Sequence, residues 1–147
     1  MIAIFDVNRN SSSPIWHQIE ESMRSMISLG ALAPGDAVPS VRHLARRLGV
    51  NPNTVARAYR RLIDAGVLAV RRGQGTYVAE SPAQLKNSER NATLHDGAVR
   101  YAGTALAIGA SLSEAATELE LSFERLTRDY RRKAKHGHSG GEFDGSP

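Results

Sequence analysis

Two short apolar-periodic segments separated only by Gly49, Val50 and Asn51 constrain this chain more than any other feature of it. After Pro52, apolar residues fall at Val55, Ala58, Tyr59, Leu62 and Ile63, the i, i+3, i+4, i+7, i+8 spacing of one buried helical stripe. Asn53, Arg57, Arg60, Arg61 and Asp64 project from the other side. Asn51 suits the N-cap, Pro52 the first helical position and Gly66 the left-handed turn that ends the helix. The segment before it is built alike: Ser40 as N-cap, an apolar set of Val41, Leu44, Ala45 and Leu48, and Gly49 as the stop.

Charge is concentrated on this pair. From Val38 to Val78 the basic residues are Arg42, Arg46, Arg47, Arg57, Arg60, Arg61, Arg71 and Arg72, against the single acid Asp64, so the region carries +7. The whole chain carries +4, which leaves −3 for the rest. Such asymmetry is the footprint of a surface that meets a polyanion, whereas a merely solvated arginine face accounts for the charge alone but not for its setting.

Two short helices joined by a glycine-containing turn, the second with a polar, arginine-rich outer face, are the signature of a helix-turn-helix. In that unit the second helix enters the major groove and its N-terminal residues reach base edges. Asn51 and Asn53 can offer a paired donor and acceptor to adenine, arginine can grip guanine with two hydrogen bonds, and Thr54 can meet a phosphate or a thymine methyl. The plainer reading is that Asn51 and Thr54 only cap their helix, and for Asn51 a cap is expected alongside any contact it makes. Next, Val67–Val70 and Thr76–Ala79 are β-prone runs flanking Arg71-Arg72-Gly73-Gln74-Gly75, so a hairpin follows the second helix as a wing. A nucleotide-binding loop at Gly73-Gln74-Gly75 is ruled out, because it needs a third glycine and a helix after it. Upstream, Ser13 and Pro14 open a leading helix whose stripe is Ile15, Trp16, Ile19, Met23, Met26 and Ile27 and which Gly30 ends, with Trp16 read as core. Ala33-Pro34-Gly35-Asp36 is a turn, and Ala37-Val38 a short strand able to pair with the wing.

The runs PIWHQI, PGD, VPSVRHLA, VNPNTVARAY and RRGQGTYV together resemble the winged-helix domain of the GntR family of bacterial transcription regulators, over roughly Pro14 to Glu80. The resemblance implies DNA contacts by Arg42, by Asn51, Asn53 and Thr54 at the start of the second helix, by Arg57, and by the wing around Arg72, Gly73 and Gly75, with Arg71 beside them. Some family members carry arginine where this chain has Pro52, which implies a different base readout there. Most GntR-like regulators append a large ligand-binding or aminotransferase-like domain. The residues from Ser81 to Pro147 are too few for either, and the chain resembles the YtrA subfamily, whose members carry two helices there and often lie near membrane-transporter genes.

Those two helices are legible. Leu94, Ala98, Tyr101, Ala105 and Ile108 alternate spacings of four and three, as do Leu112, Ala116, Leu119, Phe123, Leu126 and Tyr130. Gly109 breaks the first, and Ser111-Leu112-Ser113-Glu114 has the capping-box pattern that starts the second. A hairpin of this kind hides both seams only by packing on something, and a second copy is the expected partner, with the chain's own winged domain the alternative. The residues of the expected homodimer seam are therefore Leu94, Tyr101, Ile108, Leu112, Leu119, Phe123, Leu126 and Tyr130.

The expected fold is mainly α with a small β-hairpin wing: a winged helix-turn-helix over 10–80, a two-helix dimerisation or effector hairpin over 81–135, and a disordered tail over 136–147. The expected partners are a double-stranded DNA operator and a second copy of the chain, and a small-molecule effector is left open. Zero cysteines exclude disulfides and thiolate metal sites, no histidine falls in a triad or metal motif, and no catalytic constellation, cofactor or metal is expected. No run approaches the length of a membrane span, so the chain is expected in the cytoplasm. The expected function is a sequence-specific repressor on an inverted repeat. The rival readings are a nucleoid-type protein that binds DNA without sequence preference and a winged module that meets protein.

Overall fold

The computed structural model describes residues 5–82 and 86–137 and divides into two compact units. The first comprises residues up to Ala83 together with the end of the last helix from Asp129; the second runs from Gln84 to Arg128.

In the first unit, α1 (Ile15–Ser28), α2 (Val41–Leu48) and α3 (Pro52–Asp64) precede a hairpin of β1 (Leu68–Arg71) and β2 (Gly75–Val78). The expected caps form. Ser40 Oγ accepts from the His43 amide at 3.1 Å and Asn51 Oδ1 from the Asn53 amide at 2.8 Å, each satisfying a first-turn N–H with no partner inside its helix. Gly49, at φ +64°, turns the chain from α2 into the approach to α3, a conformation that would strain any residue with a Cβ.

α1 and α2 both pack on α3, which buries Val55, Ala58, Tyr59 and Leu62. Around them lie Ile19, Met23, Met26, Leu32, Leu44, Ala45, Val67, Leu68 and Val78, all under 4% exposed. The core also takes in Phe5, with Val7 packed against it, so the winged unit reaches further toward the N-terminus than the expected start at residue 10. Tyr59 sends its hydroxyl to the Pro39 carbonyl at 2.6 Å, and burial pushes that phenol well above its ordinary pKa.

The hairpin is antiparallel, with Leu68 opposite Val78 and Arg71 opposite Gly75. Ala37 forms a single bridge to Tyr77 where a short strand was expected. Around it the Val38 amide donates to the Thr76 carbonyl and the Val78 amide to the Asp36 carbonyl, stitching the α1–α2 connection to the outer edge of β2.

In the second unit, α4 (Asn87–Ala107) leads into α5 (Leu112–Gly137). Gly109, at φ +73°, ends α4, and Ala110 donates back to the Ala105 carbonyl at 2.9 Å. Ser111 and Glu114 form the expected reciprocal cap: the Glu114 amide donates to Ser111 Oγ and the Ser111 amide to Glu114 Oε2. These bonds hold the Glu114 carboxyl below its ordinary pKa. Tyr101 donates to the Ala115 carbonyl at 2.8 Å. Helix α5 continues through His136 and Gly137, two residues assigned from sequence to a disordered tail; the remainder of that tail, 138–147, lies outside the described residues. Among the described residues no helix is long and apolar enough to cross a membrane.

Candidate nucleic-acid interface

The core stripe of α3 orients everything on its outer face. With Val55, Ala58, Tyr59 and Leu62 buried, the 100° step per residue places Asn53, Arg57, Arg60 and Asp64 on the opposite side, and all four are exposed. Thr54 is half-buried on the flank. Asn51 is exposed at the helix start with its carbonyl oxygen committed to the cap, which leaves its amide NH₂ as the group free to face a partner. Arg42, exposed on α2, joins Arg46, Gly49, Val50 and Pro52 in lining a shallow concavity between α2 and the start of α3. This brings two guanidinium groups beside the positive end of the recognition-type helix, a setting that favours an anionic oxygen.

At the wing the two neighbouring arginines differ. Arg71 is held on the protein: its Nη2 lies 2.9 Å from Glu80 Oε1 and its guanidinium 4.1 Å above the Tyr77 ring. Arg72 is exposed at the turn, where Gln74 donates to the Arg71 carbonyl at 2.9 Å. Gly73 and Gly75 have φ of +75° and +111°, so the tight turn that carries Arg72 depends on both.

Sequence reasoning missed four contributors. Arg9 donates through Nη2 to the carbonyls of Leu48 and Gly49, satisfying the end of α2 within the turn itself. Glu20, only 9% exposed on α1, accepts from Arg61 Nε at 2.8 Å. Trp16, read as core, is half-buried and carries the guanidinium groups of Arg57 and Arg61 at 4.3 and 4.8 Å from its ring centre. Glu80 tethers Arg71. Only the placement of Trp16 and Glu20 one turn apart on α1 hinted at any of these.

The expected seam residues Leu94, Ile108, Leu112, Leu119, Phe123 and Leu126 are all exposed, Leu112 to 86% and Phe123 to 72%. Tyr101 is half-buried within the helical hairpin. Tyr130, unlike the other seam candidates, is engaged within the chain. It packs against the core of the winged unit and lies 3.2 Å from Ser22 Oγ through its hydroxyl, while Lys133, one turn on, pairs with Asp6 at 2.9 Å.

Three helices closed by a hairpin, with the third helix backed by the core and arginines on its outer face, define a winged helix-turn-helix protein, the class in which that helix is shaped for the major groove. Comparison with known proteins agrees. The family model described as bacterial regulatory proteins, gntR family, matches residues 16–78. The HTH-type transcriptional repressor YtrA of Bacillus subtilis is 41% identical over 78 residues, 53% of this chain and 60% of that protein. The HTH-type transcriptional regulator Rv1152 of Mycobacterium tuberculosis is 35% identical over 109 residues, 74% of this chain and 85% of that one. A crystal structure of a transcriptional antiterminator from Listeria monocytogenes EGD-e superposes with a TM-score of 0.70 at 27% identity, over 86% of this chain and 95% of that one. The chain belongs to the GntR family. Its match spans about six-tenths of the length of the YtrA repressor.

Proposed function

We propose that this chain is a sequence-specific, DNA-binding transcription regulator that represses by occupying an inverted-repeat operator as a homodimer. The observation that carries the reading is the face of α3, which sets Asn53, Arg57 and Arg60 outward on a helix immobilised by the core, beside the arginine-lined concavity at Arg42 and Arg46. Asn51, Asn53 and Thr54 read bases at the helix start, Arg42 and Arg57 hold the duplex, and Arg72 with the Gly73 and Gly75 turn lies along the adjoining backbone. Arg71 stays with Glu80 and steadies the wing. The exposed apolar residues Leu94, Ile108, Leu112, Leu119, Phe123 and Leu126 support pairing of two copies. Two recognition helices held about 34 Å apart then engage successive major-groove faces. The family resemblance given by the sequence motivates autoregulation and control of adjacent transporter genes.

The test is binding to the DNA immediately upstream of the chain's own gene against random duplex, at several salt concentrations. A regulator prefers a site with an inverted repeat by roughly 10³-fold or more. Equal affinity for both makes it a non-specific DNA-coating protein, and no salt-dependent affinity for either leaves the winged unit a protein-binding module.

A further inference from the structure

We propose that Trp16 of α1 is a positioning residue that holds Arg57 of α3 against the flank of the recognition helix as a clamp on a DNA backbone phosphate. This rests on the DNA-binding reading above and assigns Arg57 a specific task within it. Of the outward residues of α3, Arg57 falls on the side shared with Arg61, four residues on, where α1 presents Trp16. There both guanidinium groups meet the one indole, at 4.3 and 4.8 Å. Arg61 is also bound by the buried Glu20 carboxylate at 2.8 Å, which Arg24 shares more distantly at 3.9 Å, so its charge is compensated in part inside the protein. Among the described residues Arg57 lies within ion-pair distance of no carboxylate, so its charge is available to an outside anion.

A guanidinium held over an indole by cation–π attraction keeps an outer N–H edge free to donate. A group held to the flank by Trp16 presents that edge to the sugar-phosphate rim of the groove, while the outward positions at Asn53 and Arg60 face its floor. An arginine side chain otherwise loses considerable rotamer freedom on binding. The indole removes part of that loss beforehand, so the phosphate meets a donor already in place. Trp16 thus supports binding without touching DNA.

The measurement is affinity of the full chain for a short random-sequence duplex between about 50 and 200 mM salt, with thermal unfolding of each variant alongside. Arg57→Ala is expected to reduce the slope of log affinity against log salt by about 0.9 per bound chain, the signature of one lost phosphate contact. Trp16→Leu is expected to weaken binding roughly two- to five-fold, and Trp16→Phe, which keeps an aromatic face, to recover most of that loss. In an Arg57→Ala background, Trp16→Leu is expected to have no further effect. An unchanged salt slope in Arg57→Ala overturns the phosphate assignment. A Trp16→Leu loss of the same size with or without Arg57 overturns the positioning role and leaves Trp16 a packing residue. If the unmodified chain shows no salt-dependent binding at all, the DNA-binding reading itself fails and takes this one with it.

Discussion

The two units of this chain are built from similar proportions of apolar sequence and spend it differently. In the winged unit the large apolar residues of α1, α2 and α3 converge, and Ile19, Leu44, Val55 and Leu62 are wholly out of solvent. In the unit from Gln84 to Arg128, Ala105 is the one buried hydrophobic among the described residues, while Leu94, Leu106, Ile108, Leu112, Leu119, Phe123 and Leu126 remain exposed. Three helices crossing at an angle enclose a volume; a two-helix hairpin offers a line of contact and leaves the rest of each apolar face outside. The first unit encloses its apolar residues, whereas the second leaves most of its own facing outward.

The strongest way to break this contrast is to charge the open seam. Leu119→Glu or Phe123→Glu is expected to convert dimers to monomers in sedimentation and lower operator affinity by roughly 10² to 10⁴, the advantage of linking two half-sites, because an unpaired carboxylate would be buried on pairing. Melting of the winged core should be unchanged. Dimers that survive both charges would mean that the second unit finds its partner elsewhere.

Next in size, the same truncation made in both units sharpens the comparison. Leu44→Ala is expected to cost about 2–5 kcal/mol through the cavity it leaves, read as a fall in the denaturant midpoint. Leu119→Ala, measured at concentrations where the chain is monomeric, is expected to stay within about 0.5 kcal/mol. Comparable losses would show that the hairpin is closed within one chain.

A smaller effect separates the units by pH. Tyr59→Phe is expected to cost about 0.5–1.5 kcal/mol for the lost hydrogen bond to Pro39. The raised pKa of Tyr59 also sets a sign: its contribution is complete below the ordinary tyrosine value near 10 and is lost as pH rises beyond it, so Tyr59→Phe should flatten the alkaline decline in winged-unit stability. Glu114 works in the opposite sense. Its lowered pKa means that its contribution to the α5 start is present above the ordinary carboxylate range and lost as pH falls through the folded value. Ser111→Ala, about 1 kcal/mol or less at an exposed cap, is the smallest of these effects. It should shift the acid loss of helicity without moving the alkaline limb.

Much of the fold was legible because it rests on local rules. The stripe of Val55, Ala58, Tyr59 and Leu62, the caps at Ser40 and Asn51, the stop at Gly49 and the wing glycines each declare themselves within a few residues. The outward set on α3 followed from the same periodicity. What sequence did not disclose are polar contacts between distant segments: Arg9 with the turn 39 and 40 residues away, Glu20 with Arg61, Trp16 with Arg57, Arg71 with Glu80. No periodicity marks an ion pair or a stacked guanidinium, since either partner looks like ordinary solvated surface until the crossing of α1 over α3 is known. Tyr130 also makes a distant contact that spacing does not show. Its spacing continues the seam of α5, and by that point the helix has reached the winged unit.

The stitching of Asp36, Ala37 and Val38 along β2 bears on how copies of the protein meet. A two-stranded hairpin has two open edges, each a row of unpaired amides and carbonyls on which another chain can add a strand and seed aggregation. Here the bonds from Val38 to Thr76 and from Val78 to Asp36 occupy the outer edge of β2 with the protein's own backbone. Strand addition at that edge must first strip away a connection anchored by Val38, itself 7% exposed in the core. Of the two edges, the one on β2 is thereby withdrawn from backbone pairing with another chain.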